Sequence, residues 1–159
     1  MTLTINDFLD YCRAFNARDW DKQHSYYAKD VTLELPPDDK NPTLRGSEGI
    51  KAHYGPLFEN FVEKIVPIEV LISGDKVFFW METNFQATKA SLSPSGFNAE
   101  PGDIVRVVAW AYYEMEGDLM KIIVTNQLSG TFIGKTMTLE EAIRDSQTRV
   151  KRPELLLQY

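Results

Sequence analysis

Two long apolar segments joined by a tight turn constrain this chain more than any other feature. Residues 104–128 read IVRVVAWAYYEMEGDLMKIIVTNQL, and the turn falls at residues 116–118. Successive residues of a strand point to opposite faces. One face of the first strand therefore carries small or apolar groups and one phenol: Val105, Val107, Ala109, Ala111 and Tyr113. The other face carries Arg106, Val108, Trp110, Tyr112 and Glu114.

The two faces of this hairpin predict two different neighbours. The alanine-lined face leaves volume next to the sheet, which favours a pocket for a hydrophobic small molecule. The Trp/Tyr face is bulky, and an exposed aromatic surface of this kind is costly in a monomer. We therefore expect a homodimer formed through the outer face of the sheet.

Length, charge and cysteine content narrow the class of protein. The 159 residues favour one domain, which buries roughly 70% of its unfolded surface. The net charge of −6 argues against nucleic acid or an anionic membrane as partner. The N-terminus lacks the basic start of a signal peptide, and no apolar run reaches transmembrane length. The single cysteine, Cys12, falls in an apolar helical pattern, so we expect a cytoplasmic protein without an intrachain disulfide.

Periodicity and capping residues predict an α+β fold. Helices are predicted at residues 4–20, 22–27, 48–62 and 138–149. Strands are predicted at residues 31–35, 66–72 and 77–88 and in the hairpin, with a turn at 28–30. The polar loops 36–45 and 90–102 are expected to flank the pocket mouth as lids.

Five short segments, taken in order, resemble the SnoaL-like branch of the nuclear transport factor 2-like superfamily. They are FNARDW at 15–20, YAKDVTLE at 27–34, LRGSEGI at 44–50, SGDKV at 73–77 and YEMEGDLMKI at 113–122. The resemblance implies a cone-shaped, curved mixed β-sheet wrapped around three N-terminal helices, with one deep apolar pocket. This α+β barrel would span residues 1–135, and a C-terminal helix and tail at 136–159 would pack on the barrel or on a partner subunit.

Relatives in this superfamily include ketosteroid isomerases, polyketide cyclases, scytalone dehydratase and cofactor-free isomerases of fungal biosynthetic pathways. The catalytic groups of scytalone dehydratase are replaced here by Phe15, Asn16, Leu35, Ala87 and Ala109, which argues against that dehydration. The pocket carboxylates expected of cyclases and ketosteroid isomerases are also missing, but Glu63 and Asp103 lie near strand starts and could reach the pocket mouth. The last-strand position that often carries an acid in cyclases corresponds to Gln127.

Four residues are candidates for the chemistry, and each has a structural alternative. His53 lies beside the inner stripe of the third helix and is predicted to move a proton. Tyr113 is predicted to stabilise developing negative charge on a substrate oxygen. Asn16 and Gln127 are predicted to orient the substrate. The alternatives are a rim or core histidine, a packed tyrosine, and amides that bond to nearby backbone.

The remaining candidates would bind substrate. Apolar walls are expected from Trp20, Phe58, Met81, Phe85 and Val107, and polar contacts from His24, Tyr27 and Arg45. The register of strand 77–88 is open. If Met81 and Thr83 point inward, Glu82 lies outside. In the inverted register, Glu82 would be the best base in the chain.

These features predict a cofactor-independent isomerase or cyclase that acts by acid–base chemistry. The substrate would be a hydrophobic polycyclic or polyketide/terpenoid intermediate of secondary-metabolite biosynthesis. No metal-binding spacing and no phosphate-binding loop is visible in the sequence. One alternative is a non-catalytic binding or dimerisation module of the same fold. A second alternative is a dehydratase.

Overall fold

The computed structural model describes residues 3–35 and 42–159, and these form an α+β structure as predicted. The helices are α1 (Ile5–Asn16), α2 (Trp20–His24), α3 (Gly46–Asn60) and α4 (Leu139–Gln147). The strands are β1 (Tyr27–Glu34), β2 (Leu44–Arg45), β3 (Phe61–Ser73), β4 (Lys76–Ala87), β5 (Ser91–Leu92), β6 (Asn98–Ala99), β7 (Ile104–Glu116) and β8 (Leu119–Gly134). No helix in this described part of the chain has the length and apolar character needed to cross a membrane.

Six strands form one open mixed sheet in the order β2-β1-β8-β7-β4-β3. The β1–β8 pair is parallel, and the other neighbours are antiparallel. The short β5 and β6 strands pair with each other in the loop between β4 and β7. Strands β2 and β3 are the two edges, so the sheet curves around the helices without closing. The predicted curved sheet is therefore confirmed as an open one.

Helix α1 fills the concave side of the sheet. Thr4 and Asp7 form a capping box that starts the helix. The helix buries Phe8, Leu9, Tyr11, Cys12 and Phe15 at helical spacing. The Phe8 ring packs edge-on against Phe79 and Tyr113, at centroid distances of 4.8 and 5.3 Å. Burial of each such side chain contributes about 1.5–3 kcal/mol, so this face anchors the helix to the sheet.

Several boundaries differ from the sequence prediction. The first helix ends at Asn16 rather than at residue 20, because Asp19 caps a separate helix that begins at Trp20. The predicted turn at 28–30 is wrong, since β1 already begins at Tyr27. The third helix ends at Asn60, and β3 begins directly afterwards, five residues earlier than predicted. The sequence pattern did not predict the first five residues of β3 as strand, because the acid at inward position 63 interrupts the alternation of apolar residues.

The register of β4 places its alternate residues in two different environments. Met81 and Thr83 face the helices, whereas Glu82 and Asn84 are buried beneath α4 on the other side. Arg149 binds both oxygens of Glu82 at 2.7 Å. The guanidinium of Arg106 lies 3.6 Å from Glu82 and donates to Asn84 at 2.9 Å. The first of the two predicted registers is therefore the one observed.

The outer face of the sheet is only partly covered by the chain itself. Helix α4 packs on β3 and β4. Lys151 lies over the ring of Trp80, 4.9 Å from its centroid. Trp110 is 42% exposed beside Phe78. The homodimer predicted through this face stays a prediction, as does the proposed division at residue 135.

Removal of the Glu82 charge tests the role of the ionic cluster under α4. Glu82→Gln removes the more deeply buried of the two carboxylates that Arg149 and the mostly buried Arg106 share, and leaves them Asp145. Discounting for the partial exposure of Arg149, we expect a loss of at least about 2 kcal/mol in the free energy of unfolding. Urea unfolding measures it. Glu116→Gln is the matched control, because the exposed Glu116–Lys121 pair contributes only about 0–1 kcal/mol. Equal losses in both variants would contradict the assignment.

Candidate active site

A cavity of about 160 Å³ lies between the concave face of the sheet and the helices. The alternation of the strands determines its walls, because every second residue points inward. The sheet contributes Tyr27, Leu33, Glu63, Ile65, Phe79, Met81, Thr83, Val107, Ala109, Tyr113, Ile123, Thr125, Asn126 and Gln127. The helices contribute Tyr11, Cys12, Phe15, Gln23 and Tyr54. The alanine-lined face of the hairpin is thus a cavity wall, as the sequence predicted.

Glu63 is the acidic group in this wall. It is 6% exposed, and its Oε2 accepts a hydrogen bond of 2.9 Å from the Thr83 hydroxyl. Its Oε1 is buried and has no hydrogen-bond partner. Burial raises the pKa of the Glu63 carboxyl to about 8, although the Thr83 hydroxyl and the Arg18 charge lower it. Glu63, which the sequence predicted could reach the pocket mouth, therefore lines the cavity itself.

Four tyrosines bring phenol groups to the same cavity: Tyr11, Tyr27, Tyr54 and Tyr113. Burial raises the pKa of each, so all four are protonated donors at neutral pH. The hydroxyls of Tyr11 and Tyr27 are 2.9 Å apart, and the Gln23 amide donates to Tyr27 at 3.1 Å. One proton is used between these two hydroxyls. Against the larger effect of burial, a hydrogen bond with Tyr11 also lowers the pKa of Tyr113, so Tyr11, Tyr27 and Tyr113 interact with one another.

Tyr54 connects the carboxylate to the phenols electrostatically. Burial is the main cause of its raised pKa, and the charges of Glu63 and Tyr27 raise it further. Its ring packs edge-on against Phe15 on α1, with centroids 5.9 Å apart. Helix α3 therefore holds one phenol within the electrostatic reach of Glu63.

Five residues predicted for the site do line this cavity: Tyr113, Gln127, Tyr27, Met81 and Val107. Tyr113 is 3% exposed at one end of the alanine-lined face. Gln127 is exposed at the mouth. The structure thus brings together one predicted catalytic phenol, one predicted amide and three predicted binding residues.

Asn16 is buried but bonds to the backbone of β3 instead of lining the cavity. Its Nδ2 donates to the Ile65 carbonyl at 3.0 Å, and its Oδ1 accepts from the Ile65 N–H at 2.7 Å. The hydroxyl of Tyr159 donates to the same carbonyl. Because β3 is an edge strand, these side chains satisfy backbone groups that have no neighbouring strand. They fix the segment that carries Glu63, two residues before Ile65.

Neither histidine is among the cavity-lining residues. His53 is exposed on α3, and its ring stands edge-on to Tyr54 with centroids 5.0 Å apart. His24 Nδ1 lies 2.7 Å from the Ser47 hydroxyl, and its ring packs against Tyr27 at 4.8 Å. Their assigned roles stay predictions, and their placement favours Glu63 as the proton carrier.

The other predicted binding residues lie around the cavity rather than in its wall. Phe58 packs on Phe15 at 5.7 Å and on Trp20 at 6.0 Å. Phe85 is buried against Phe61. Arg45 is exposed at the start of α3. Phe58 thus packs against Phe15, a residue of α1 that lines the cavity, and Trp20 packs against Phe58 in turn; neither Phe58 nor Trp20 lines the cavity itself.

The loop at 90–102 lies against the cavity mouth. The Gln127 amide donates to the Ser95 hydroxyl at 2.9 Å, and Ser95 has a φ of 75°. Gly130 permits this approach, because a Cβ there would lie 2.2 Å from the Ser95 oxygen. A lid function for this loop stays a prediction. The other predicted lid, 36–45, lies outside the described residues over 36–41.

The sequence prediction gives no site role to Tyr11 or Gln23, and it includes Thr83 only as an inward residue of one β4 register and Glu63 only as an acid near the mouth. Tyr11 had a usable signal, since it follows Phe8 by three residues on the buried face of α1. Thr83 follows Met81 by two residues and shares its face. Phe61, Glu63 and Ile65 alternate along β3, so this pattern could place Glu63 on the inner face. It does so only if an acid is allowed at a buried position.

Comparison with known proteins identifies the fold family. The sequence matches the family model of the SnoaL-like domain over residues 8–121. No curated protein sequence matches the chain. A proposed polyketide cyclase from Xanthomonas campestris pv. campestris is similar in structure, with a TM-score of 0.63, 17% identity and coverage of 86% of this chain and 91% of that one.

Two further solved structures share this fold. IdmH, a proposed polyketide cyclase from Streptomyces antibioticus, has a TM-score of 0.61 at 16% identity, covering 76% of this chain and 88% of that one. A proposed ketosteroid isomerase from Kribbella flavida has a TM-score of 0.54 at 15% identity, covering 76% and 73%. From the family match over residues 8–121 we conclude that the protein belongs to the SnoaL-like domain family.

Proposed function

We propose that the protein is an isomerase or cyclase that moves a proton on a hydrophobic carbonyl compound of the polyketide or terpenoid class. The observation that carries this proposal is the Glu63 carboxyl, buried in an apolar cavity with Oε1 free of any hydrogen bond. A buried polar atom without a partner costs about 1–3 kcal/mol. A substrate in the cavity supplies the missing contact. The metal-free and cofactor-free character of the reaction is part of the proposal.

Glu63 acts in this scheme as the general base. Its carboxylate takes a proton from a carbon next to the substrate carbonyl, and the electron pair of the broken C–H bond moves toward the carbonyl oxygen. The protonated carboxyl then returns the proton at another carbon and completes the isomerisation. In a cyclisation, the same carbon attacks a second carbonyl, and the proton goes to the new alkoxide. Each route begins and ends with an ionised Glu63.

The phenols stabilise the negative charge that develops on the carbonyl oxygen. Tyr11, Tyr27, Tyr54 and Tyr113 all line the cavity as protonated phenols, because burial raises the pKa of each. Such donors in a water-poor site stabilise an enolate more than they stabilise a neutral ketone. The network around Tyr27 holds its oxygen in place through Gln23. Tyr113 thus keeps the role predicted from the sequence.

A non-catalytic binding module of the same fold is the second candidate. The observation in its favour is the mainly apolar wall, including Phe15, Phe79 and Met81. A carrier, however, gains no affinity for an apolar ligand by burying a carboxyl with one unpaired oxygen. Unchanged ligand binding in a Glu63 variant, together with no turnover by the natural protein, would favour this candidate. The dehydratase, the biosynthetic setting and the fungal context stay predictions.

Stability should depend on pH in a way that reports on Glu63. Its pKa is about 8 in the folded protein and about 4.5 when unfolded, so folding holds its proton between these values. The Glu63 contribution to stability is fully present below pH 4.5 and is lost as the pH rises through 8. Relative to Glu63→Gln, the natural protein should therefore lose on the order of 4 kcal/mol over this window. Urea unfolding at several pH values measures this loss in the free energy of unfolding. Glu59→Gln, which changes an exposed glutamate, should keep the pH dependence of the natural protein.

Turnover tests the catalytic assignment directly. Conversion of cyclohex-3-enone to the conjugated cyclohex-2-enone, followed by ultraviolet absorbance, is a suitable probe reaction. Glu63→Gln should lower kcat/KM by about 10²–10⁴, because loss of a general acid–base group has that effect. In the natural protein, kcat/KM should rise with pH and level off above about 8, as the carboxylate forms. His53→Ala should change kcat/KM by no more than a few fold.

The controls separate chemistry from folding. Glu59→Gln removes the same charge from an exposed position on α3 and should retain full activity. Thermal unfolding must show that the Glu63 variant is folded at the assay temperature. A folded Glu63→Gln protein with normal activity, or a large loss in His53→Ala alone, would reject Glu63 as the base.

A further inference from the structure

The volume of the cavity limits the size of its ligand. The cavity bounded by the described residues holds about 160 Å³. An apolar cavity of about 150 Å³ in another protein binds one benzene molecule, and pockets for drug-sized ligands occupy about 300–1,000 Å³. The space here thus matches one six-membered ring and is about half of the smallest volume usual for larger ligands.

The walls that set this volume are held by their own neighbours. The Phe79 ring is packed edge-on by Phe8, which also contacts Tyr113. Phe15 is packed by Tyr54 and by Phe58 on α3. Close-packed interiors resist expansion, so a second fused ring would require several of these rings to move together.

The polar groups in the wall specify what the ring must carry. Glu63 Oε1 is buried without a hydrogen-bond partner among the described residues, and the hydroxyl-bearing Tyr11, Tyr27 and Tyr113 line the same cavity. A plain hydrocarbon ring would leave the Glu63 oxygen without a hydrogen bond, which is unfavourable. A ring with a carbonyl or hydroxyl oxygen accepts from a phenol and offers an acidified C–H or O–H to the carboxylate. At the mouth, the exposed Gln127 and Asn126 leave a route for substituents of the ring.

We propose that this site takes a single oxygenated six-membered ring of the enone or phenol type and excludes fused ring systems. This inference rests on the proposed function for the site, and it replaces the polycyclic substrate predicted from the sequence. The number of ligand rings that the cavity accepts is then set mainly by Met81. This residue pairs with Ala109 on the neighbouring strand, and both line the cavity.

Binding of three probes to the natural protein tests the size limit. Nuclear magnetic resonance titration should show binding of phenol, at least tenfold weaker binding of 2-naphthol and no binding of testosterone. In an open apolar pocket, 2-naphthol would instead bind more tightly than phenol, because it buries more apolar surface. Failure of phenol to bind, or binding of 2-naphthol or testosterone as tight as that of phenol, would overturn the proposal.

Two matched variants locate the limit in the cavity. Met81→Ala should bring the affinity of 2-naphthol at least fivefold closer to that of phenol, since it enlarges the cavity. Met115→Ala removes the same side chain from a buried position outside the cavity wall and should leave the ratio unchanged. An unchanged ratio in folded Met81→Ala would overturn the assignment. If either variant fails to fold, the three probes with the natural protein still decide.

Binding and turnover can fail independently. Glu63→Gln should keep the preference for phenol over 2-naphthol, because the cavity volume is nearly unchanged. If the natural protein does not convert cyclohex-3-enone but still binds phenol more tightly than 2-naphthol, the proposed catalysis is refuted and the size limit is retained. Normal turnover together with tight 2-naphthol binding would refute the size limit alone.

Discussion

The site depends on the burial of one carboxyl, that of Glu63, at the start of an edge strand. Desolvation disfavours its charged form and raises its pKa to about 8. Among the described residues only the Thr83 hydroxyl bonds to it, at 2.9 Å, and the buried second oxygen has no partner there. The edge of β3 is fixed nearby by Asn16, which binds both backbone groups of Ile65. The fold therefore holds an unfavourable group in place.

Glu82 shows the opposite solution for a buried glutamate in the same sheet. It is 4% exposed, but Arg149 binds both of its oxygens and Arg106 lies nearby. A paired carboxylate of this kind joins α4 to the sheet and has no oxygen available for chemistry. The strand alternation that separates Thr83 from Glu82 assigns one glutamate to the cavity and the other to structure. Both glutamates are buried, but Glu82 is ion-paired with two arginines, whereas among the described residues the only charge that influences Glu63 is that of Arg18, and Glu63 forms no ion pair.

Much of the fold was predictable because its signals are local. The alternation of β7 correctly placed Val107, Ala109 and Tyr113 on the cavity face. The capping residue Thr4 marked the start of α1. The α3–β3 boundary was predicted at the wrong place, because a strand is recognised by alternating apolar residues and Glu63 interrupts that alternation at an inward position. The sequence therefore predicts Glu63 only near a strand start, within reach of the pocket mouth, and gives it no catalytic role.

The site was less predictable than the fold, because its key contacts join residues far apart in the sequence. The bond between Tyr11 and Tyr27 depends on how α1 docks on the sheet, and the Glu63–Thr83 bond depends on the register of β3 and β4. Asn16 was correctly recognised as a buried amide, but its partner, the Ile65 backbone, lies 49 residues away. Histidine was favoured for its ordinary pKa, whereas burial brings a carboxyl to a similar range.

Direct titration of the Glu63 carboxyl tests this account most simply. Carbon-13 nuclear magnetic resonance of protein labelled at the glutamate side-chain carboxyl follows each group, and the Glu63→Gln spectrum assigns the signal. The account predicts a midpoint near pH 8 for Glu63 in the empty protein. A midpoint near 4.3, the usual value for an exposed glutamate, would contradict it.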